Sequence, residues 1–352
     1  MASISFIIPV FNQWAYTEPC LQALARTIPA PKTDEKHEII LVDNGSSDET
    51  QAQLKSAANT AWGHAQLRYI RHEQNIGFNA ASNAGAQASS GSILVFLNND
   101  TVPQNGWIEG LLAALQLPKV GIVGPKLLFP ETLTINHAGY SYNPAIGGFF
   151  PFYYGKPATF PPVCKPREFQ ALLGACLMMR REDFFALNQF SLDGLEDIDL
   201  CLKVRASGKR VLYTPRSEVW HHGGATFKKT DKALIPRMTN EAFFQAWPSA
   251  MLQQDDVRFY REDGYAVIIH EDTQTVELIA EHHAATQLLK EAQVAWARSE
   301  HDAAIELAKR SLQIYRRNIS GLRQLSLWLV EKNRADEATE FSQQLEFLAG
   351  MR

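Results

Sequence analysis

The feature that most constrains this chain is a repeating unit in its first hundred residues: a short, unbroken apolar run, then a polar turn, then a helical pattern. The runs fall at residues 3–10, 38–42, 67–71 and 92–97, and helical patterns occupy 14–27, 48–58 and 79–89. Continuous apolar runs bounded by turn residues, each followed by a helix, predict a parallel sheet covered on both faces. The expected fold is therefore α/β and Rossmann-like, with a mostly parallel sheet and helices on both sides. Ligands of such sheets bind at the carboxyl ends of the strands. Polar residues cluster there: Asn12 after the first run, Asp43 after the second, and Asn98, Asn99 and Asp100 after the fourth.

At 352 residues the chain suits one larger domain plus an appendage. Hydrophobic residues make up 45% and charged residues 20%, enough apolar material for a sizeable core. A net charge of −4 lacks the basic excess of a nucleic-acid binder, so no nucleic-acid partner is expected. Four scattered cysteines without a C-x-x-C pair read as reduced thiols. The apolar stretch from Phe6 to Val10 has no basic lead-in and is too short for a leader or a membrane span. A cytoplasmic location is expected, peripheral to the inner face of the membrane if the acceptor is lipid-linked.

Residues 140–166 break the pattern, with Phe149, Phe150, Phe152, Tyr153, Tyr154, Phe160 and several prolines; they read as a loop rich in aromatic surface. A strand over 169–179, an acidic turn and helix over 194–206 and a strand over 210–214 follow. From residue 273 the composition turns to Ala, Glu, Leu, Gln and Arg with helical periodicity. The expected division is thus 1–272 and 273–352, the second part all-α. Ala304-Ile-Glu-Leu-Ala aligns with Ala338-Thr-Glu-Phe-Ser at an offset of 338 − 304 = 34, the tetratricopeptide period. An ordinary amphipathic hairpin gives the same pattern, and the Trp-Leu-Gly signature is missing.

Seven segments carry a resemblance: FIIPVFN, EIILVDNGSSDET, NIGFNAASNAG, LVFLNNDTVP, LLGACLMMRRED, GLEDIDLCLKVRASGKRVLYTP and VWHHGG. In this order the chain resembles family 2 glycosyltransferases of the bacterial rhamnosyltransferase-like kind, with a GT-A fold, over about residues 4–224. The resemblance implies a nucleotide-sugar donor (UDP or dTDP), a divalent cation (Mn²⁺ or Mg²⁺) and inversion at the anomeric carbon. It places Pro9, Phe11, Asn12, Asp43, Asn75, Gly77, Asn79, Asn98, Asn99, Asp100, Gly174 and Ala175 along the nucleotide-sugar.

Each position has a physical reading beside the implied one. Asp43 can accept the imide N–H of a pyrimidine base, or simply cap the turn D-N-G-S-S-D. Gly77 lets the backbone approach a ligand closely. Asn98-Asn99-Asp100 stands where the family has D-x-D, with Asp100 its single carboxylate. A cation there needs another ligand, and the family implies His221, with His222 the alternative. Asp197 is the implied catalytic base, taking the acceptor's proton, and Glu196 lies on the acceptor side. An acidic first helical turn is also favoured by the helix dipole alone. Arg180, Arg181, Lys203, Arg205, Lys209 and Arg210 are candidates for assisting the diphosphate, though most surface basic residues are merely solvated. The acceptor is a hydroxyl of a glycan, a lipid-linked molecule or a protein, with the aromatic segment as its wall. The C-terminal helices form either a docking surface for a protein partner or a stabilising cap. The competing expectation is a pseudo-enzyme or scaffold that binds a nucleotide-sugar without consuming it. A nucleotidyltransferase would need a glycine- and lysine-rich activation loop that the N-terminus lacks.

Overall fold

The computed structural model describes residues 3–31, 36–58, 62–146, 148–223, 241–248, 251–270, 275–315 and 318–349. The boundary expected at 272/273, and Gly224 at the end of the motif series, lie outside the described residues. Two compact units divide the chain: Met1–Tyr142 with Gly148–Gln253, and Asn143–Gly147 with Gln254–Arg352.

The first unit opens with β1 (Ile4–Val10), α1 (Trp14–Thr27), β2 (His37–Asn44), α2 (Thr50–Ala57), β3 (Ala65–His72) and α3 (Phe78–Ala88). It continues with β4 (Ile93–Leu97), β5 (Thr101–Pro103), α4 (Trp107–Leu115), β6 (Val120–Leu128) and β7 (Ile135–His137). Then follow β8 (Tyr140–Asn143), β9 (Gly148–Pro151), β10 (Arg167–Glu168), β11 (Cys176–Arg180) and α5 (Arg181–Ala186). The acidic helix α6 (Glu196–Ala206), β12 (Arg210–His221) and α7 (Glu241–Ala246) complete it.

The main sheet has the order β10-β12-β6-β11-β4-β1-β2-β3. β1 pairs in parallel with β2 and β4, β2 with β3, and β6 with β12. β11 runs antiparallel between β4 and β6, so one reversed strand sits inside a largely parallel sheet. Every residue of β1, β2, β4 and β6 is buried, as a sheet covered on both faces requires. The core joins Phe6, Ile8, Leu21, Leu24, Ile39, Val95 and Trp107, and the indole N–H of Trp107 is satisfied by Thr27 Oγ1 at 3.0 Å.

Two stretches differ from the sequence reading. The apolar run over 169–179 is not one strand, because Gly174 and Ala175 form a turn and only Cys176–Arg180 pairs. The aromatic segment is mostly interior: Phe149, Phe152 and Tyr153 are buried, and Phe152 packs on Tyr153 and Phe169 with centroids 4.2 and 5.6 Å apart. Tyr154, at 58% exposure, is its open aromatic. The rings cover one another because β8 and β9 pair and fold the segment onto itself.

The second unit holds α8 (Asp256–Glu262), a hairpin of β13 (Tyr265–His270) and β14 (Thr275–Ala280), and helices α9 (Glu281–Ala297), α10 (His301–Ile314), α11 (Ile319–Glu331) and α12 (Ala335–Ala349). The helices share a core of Leu289, Ala292, Ile305, Ala308, Leu322, Leu325, Trp328 and Leu329. Trp296 and Trp328 stack at 4.5 Å and 6°. No helix among the described residues is long and apolar enough to cross a membrane.

Candidate functional site

The polar strand ends meet along the carboxyl edge of the sheet. β1 runs out through Pro9 into Phe11, 41% exposed, and then into Asn12 and Gln13, both left-handed at φ 56° and 64°. Two consecutive non-glycine residues in that region carry strain on the order of 1 kcal/mol or more each. Bonds to the turn after β2 hold them: the N–H of Asn12 donates to Ser46 Oγ (2.8 Å), the N–H of Ser47 to Asn12 Oδ1 (2.8 Å), and the N–H of Gln13 to Asp48 (2.8 Å).

Asp43, near the end of β2, is 0% exposed. Its carboxylate accepts from the N–H of Ser46 (2.8 Å), Tyr69 Oη (2.9 Å) and Arg71 Nη1 (2.5 Å). Burial alone would raise its pKa; these bonds outweigh that and hold it below the usual carboxylate range. Arg71, at 18% side-chain exposure, covers it. Sequence reasoning missed Arg71 and Tyr69, although both lie on β3, where the strand-end rule points.

Asn75 and Gly77 form a turn tied to Asn44, which donates to Asn75 Oδ1 (2.9 Å) and to the carbonyl of Gly77 (3.2 Å). Gly77 has φ 87°, and a Cβ there would face open space, so its backbone is accessible from that side. Asn79 has a different place: it is buried and donates to Ser191 O (2.8 Å) and Asp193 Oδ1 (2.7 Å), fastening α3 to the loop before α6.

Beyond β4, Asn99 donates to Thr17 (2.9 Å), and Asn98 Oδ1 is buried without a partner. Asp100 is buried, with Oδ1 3.4 Å from His221 Nε2. Its pKa is lowered: burial raises it, but the neighbouring His221 outweighs that. β5 and β12 pair antiparallel with His221 opposite Thr101, which places the imidazole next to Asp100. His222 points elsewhere, towards Glu131 (3.4 Å) and the ring of Tyr16 (centroids 5.0 Å). One carboxylate oxygen and one imidazole nitrogen are donors of a kind that a divalent cation such as Mn²⁺ or Mg²⁺ accepts, and further ligands would have to come from water or a bound ligand. Among the described residues no group of three or more His, Cys, Asp or Glu gathers for a metal ion.

The carboxylates of α6 connect to the same strand end through the backbone of residues 174 and 175. The N–H of Asn98 donates to Ala175 O (2.9 Å), and the adjoining N–H of Gly174 donates to Asp197 Oδ2 (2.8 Å). Asp197 Oδ1 accepts from the N–H of Ile198 (2.8 Å), so this carboxylate caps its own helix. A Cβ on Gly174 would stand 3.1 Å from Asp197 Cβ, which explains the small residue. Burial pushes Asp197 up to about 6 despite those N–H bonds. Glu196, whose Oε2 is buried without a partner, is pushed up to about 7 by burial and by the charge of Asp197. Asp199 is committed elsewhere, to Ser191 Oγ (2.6 Å), Lys203 (2.7 Å) and Trp247 Nε1 (2.9 Å).

The basic candidates do not gather here. Arg180 donates to the carbonyls of Val120 (2.9 Å) and Leu115 (2.8 Å), and with Arg181 borders a groove containing Ser90–Ile93 at the start of β4, the opposite end of the strands. Lys209 pairs with Asp183 and Arg210 with Glu168. Two residues that no motif flagged touch these candidates or their neighbours. Asn136 Oδ1 lies 2.9 Å from His221 Nδ1, and His137 Nε2 accepts the N–H of Leu173 (3.0 Å), next to Gly174. Burial holds His137 neutral, its pKa pushed down to about 3.

The family model for glycosyl transferase family 2 matches residues 5–185. The uncharacterized protein y4gI of Sinorhizobium fredii is 34% identical over 197 residues, covering 54% of this chain and 21% of that protein. The O-antigen biosynthesis protein RfbC of Myxococcus xanthus is 30% identical over 236 residues, covering 63% of this chain and 17% of that protein. The chain thus spans about a fifth of the length of these relatives. A crystal structure of GalNAc-T7 with UDP, GalNAc and Mn²⁺ superposes with a TM-score of 0.51 at 18% identity, covering 63% of this chain and 43% of that one. That likeness is one of fold, the GT-A arrangement.

Proposed function

The chain belongs to glycosyl transferase family 2, and from that membership we propose that it moves a sugar from a UDP- or dTDP-sugar to an acceptor hydroxyl with inversion. The observation that carries this reading is the junction at Asn98 and Gly174. One backbone bond joins the segment bearing Asp100 to the turn that holds Asp197 (2.9 Å), and Asp197 is a carboxylate tuned towards neutrality. A metal-side pair and a candidate base therefore share one strand end.

In this reading the nucleotide-sugar lies over Pro9, Phe11, Asn12, Asn75, Gly77, Asn98 and Asn99. Asp43, fully enclosed, meets the base only if a covering group such as Arg71 moves aside. Asp100 and His221 would hold the divalent cation, which supplies positive charge to the departing diphosphate. Asp197 takes the proton of the acceptor hydroxyl as its oxygen bonds to C1. The C1–O bond to phosphate breaks, and its electron pair leaves with the nucleoside diphosphate. Glu196, beside Asp197, faces the acceptor. The acceptor is a glycan, lipid-linked or protein hydroxyl, and the helical second unit is its docking surface or a partner's.

The test is a panel of UDP- and dTDP-sugars with Mn²⁺ or Mg²⁺, following nucleoside diphosphate release with and without EDTA. Release from one donor, lost on chelation, is the expected result. Binding of the nucleotide-sugar without turnover, across acceptors, would instead support a nucleotide-sugar-binding scaffold, which the single carboxylate of Asn98-Asn99-Asp100 favours.

A further inference from the structure

β7 is three residues long, and its middle residue, Asn136, is 8% exposed. Asn136 Oδ1 stands 2.9 Å from His221 Nδ1, across 85 residues of sequence. An amide oxygen only accepts, so Nδ1 is the donor of this pair, and a neutral ring with its one proton there has a bare lone pair on Nε2. That lone pair faces Asp100 Oδ1 across 3.4 Å. Two acceptors opposed at this distance repel each other, and a divalent cation between them turns both contacts favourable. Gly223, at φ 63°, leaves space beside the same amide: a Cβ there would stand 3.1 Å from Asn136 Nδ2. A side chain at 223 would press on the amide and turn it.

We propose that Asn136 is a positioning residue that fixes His221 in its Nδ1–H tautomer and so reserves Nε2 for the cation shared with Asp100. The inference rests on the metal reading above. It is specific to orientation: with the amide reversed, Nδ2 would donate to Nδ1, and the ring proton would move to Nε2, where it blocks ligation and bonds to Asp100 instead. Partners of this kind, one bond removed from a metal, are generally worth about tenfold to a hundredfold in metal affinity.

Long-range ¹H–¹⁵N spectra of the metal-free, histidine-labelled protein at about pH 8, above the usual histidine range, read the tautomer directly. His221 is assigned by the signal lost in His221→Gln. The expected pattern is a protonated Nδ1 and an unprotonated Nε2, kept in Asn136→Asp and lost in Asn136→Ala. A protonated Nε2 in the wild-type protein overturns the proposal and needs no variant to fold. Mn²⁺ binding in the presence of UDP, followed by electron paramagnetic resonance, is expected to weaken about tenfold or more in Asn136→Ala and to stay near wild type in Asn136→Asp. Equal affinity in all three proteins overturns the positioning role. Failure of the wild-type protein to bind Mn²⁺ refutes the metal reading and the purpose assigned to the tautomer, a result separable from a wrong tautomer in a protein that does bind it.

Discussion

Asp197 shows how one residue can serve activity at the expense of stability. It must be ionised to accept a proton, yet burial pushes its pKa up to about 6 and that of neighbouring Glu196 to about 7. Turnover is therefore expected to rise as pH increases through 6, steeply below it and levelling above 7, with the two carboxyls titrating as a pair. A flat kcat/KM profile between pH 5 and pH 8 would remove Asp197 from the role of base. The stability effect has the opposite sign. A carboxyl whose folded pKa lies above its unfolded value favours the folded state when protonated, and this contribution is lost as pH rises from about 4 to about 6. Asp197→Asn should abolish transfer, retain donor binding, and melt higher than wild type at pH 7.5, the advantage vanishing near pH 4. A lower Tm for the variant at pH 7.5 would contradict the burial argument. The sequence made Asp43 and Asp100 visible because strand-end carboxylates stand out against apolar runs, and Asp197 through the motif that carries the family resemblance. It concealed that Asp43 is fully enclosed, since its cover, Arg71 and Tyr69, comes from a neighbouring strand.

Among the elements, legibility followed regularity. α1 runs from Trp14 to Thr27, the span its periodicity predicts. β12 reads in the sequence as a short strand over 210–214 and a further extended piece ending in VWHHGG; the two are one strand to His221, with a register shift between Thr214 and Glu218, where Pro215 interrupts the pattern. That continuation matters, because it carries His221 to Asp100. β7 was unreadable, being three residues whose value lies in contacts far away in sequence. Helix α3 offers a test of packing. A Cβ on Gly85 would stand 2.6 Å from Ile7 Cγ2 and 3.0 Å from Val42 Cγ2, both β-branched side chains on the sheet. Gly85→Ala gains about 1 kcal/mol of helix propensity, but overpacking against rigid neighbours costs about 1–3 kcal/mol. Net destabilisation is expected in urea denaturation, with weaker donor binding because α3 also fastens the 191–193 loop through Asn79. An unchanged midpoint would mean the helix shifts freely on the sheet.

At the scale of the molecule, the two units have separate cores, one around Phe6 and Trp107 and one around Trp296 and Trp328. Trp328→Ala should cost the helical unit about 3–5 kcal/mol. Hydrogen exchange should then accelerate across 283–346 while β1, β2 and β4 keep their protection; loss of protection in those strands would show that the units unfold together. The reversed strand β11 has a consequence of its own. Chain departing from β1, β2 and β4 reaches the site as loops that follow a strand, whereas β11 brings in, at the same edge, the chain that precedes it: Leu173, Gly174 and Ala175. Departing loops can lengthen or shorten with little effect on the strand behind them. The arriving turn is constrained on both sides, by the strand ahead and by the buried aromatic fold behind it. Natural variation among related chains should therefore concentrate in the departures and leave the arrival nearly invariant in length.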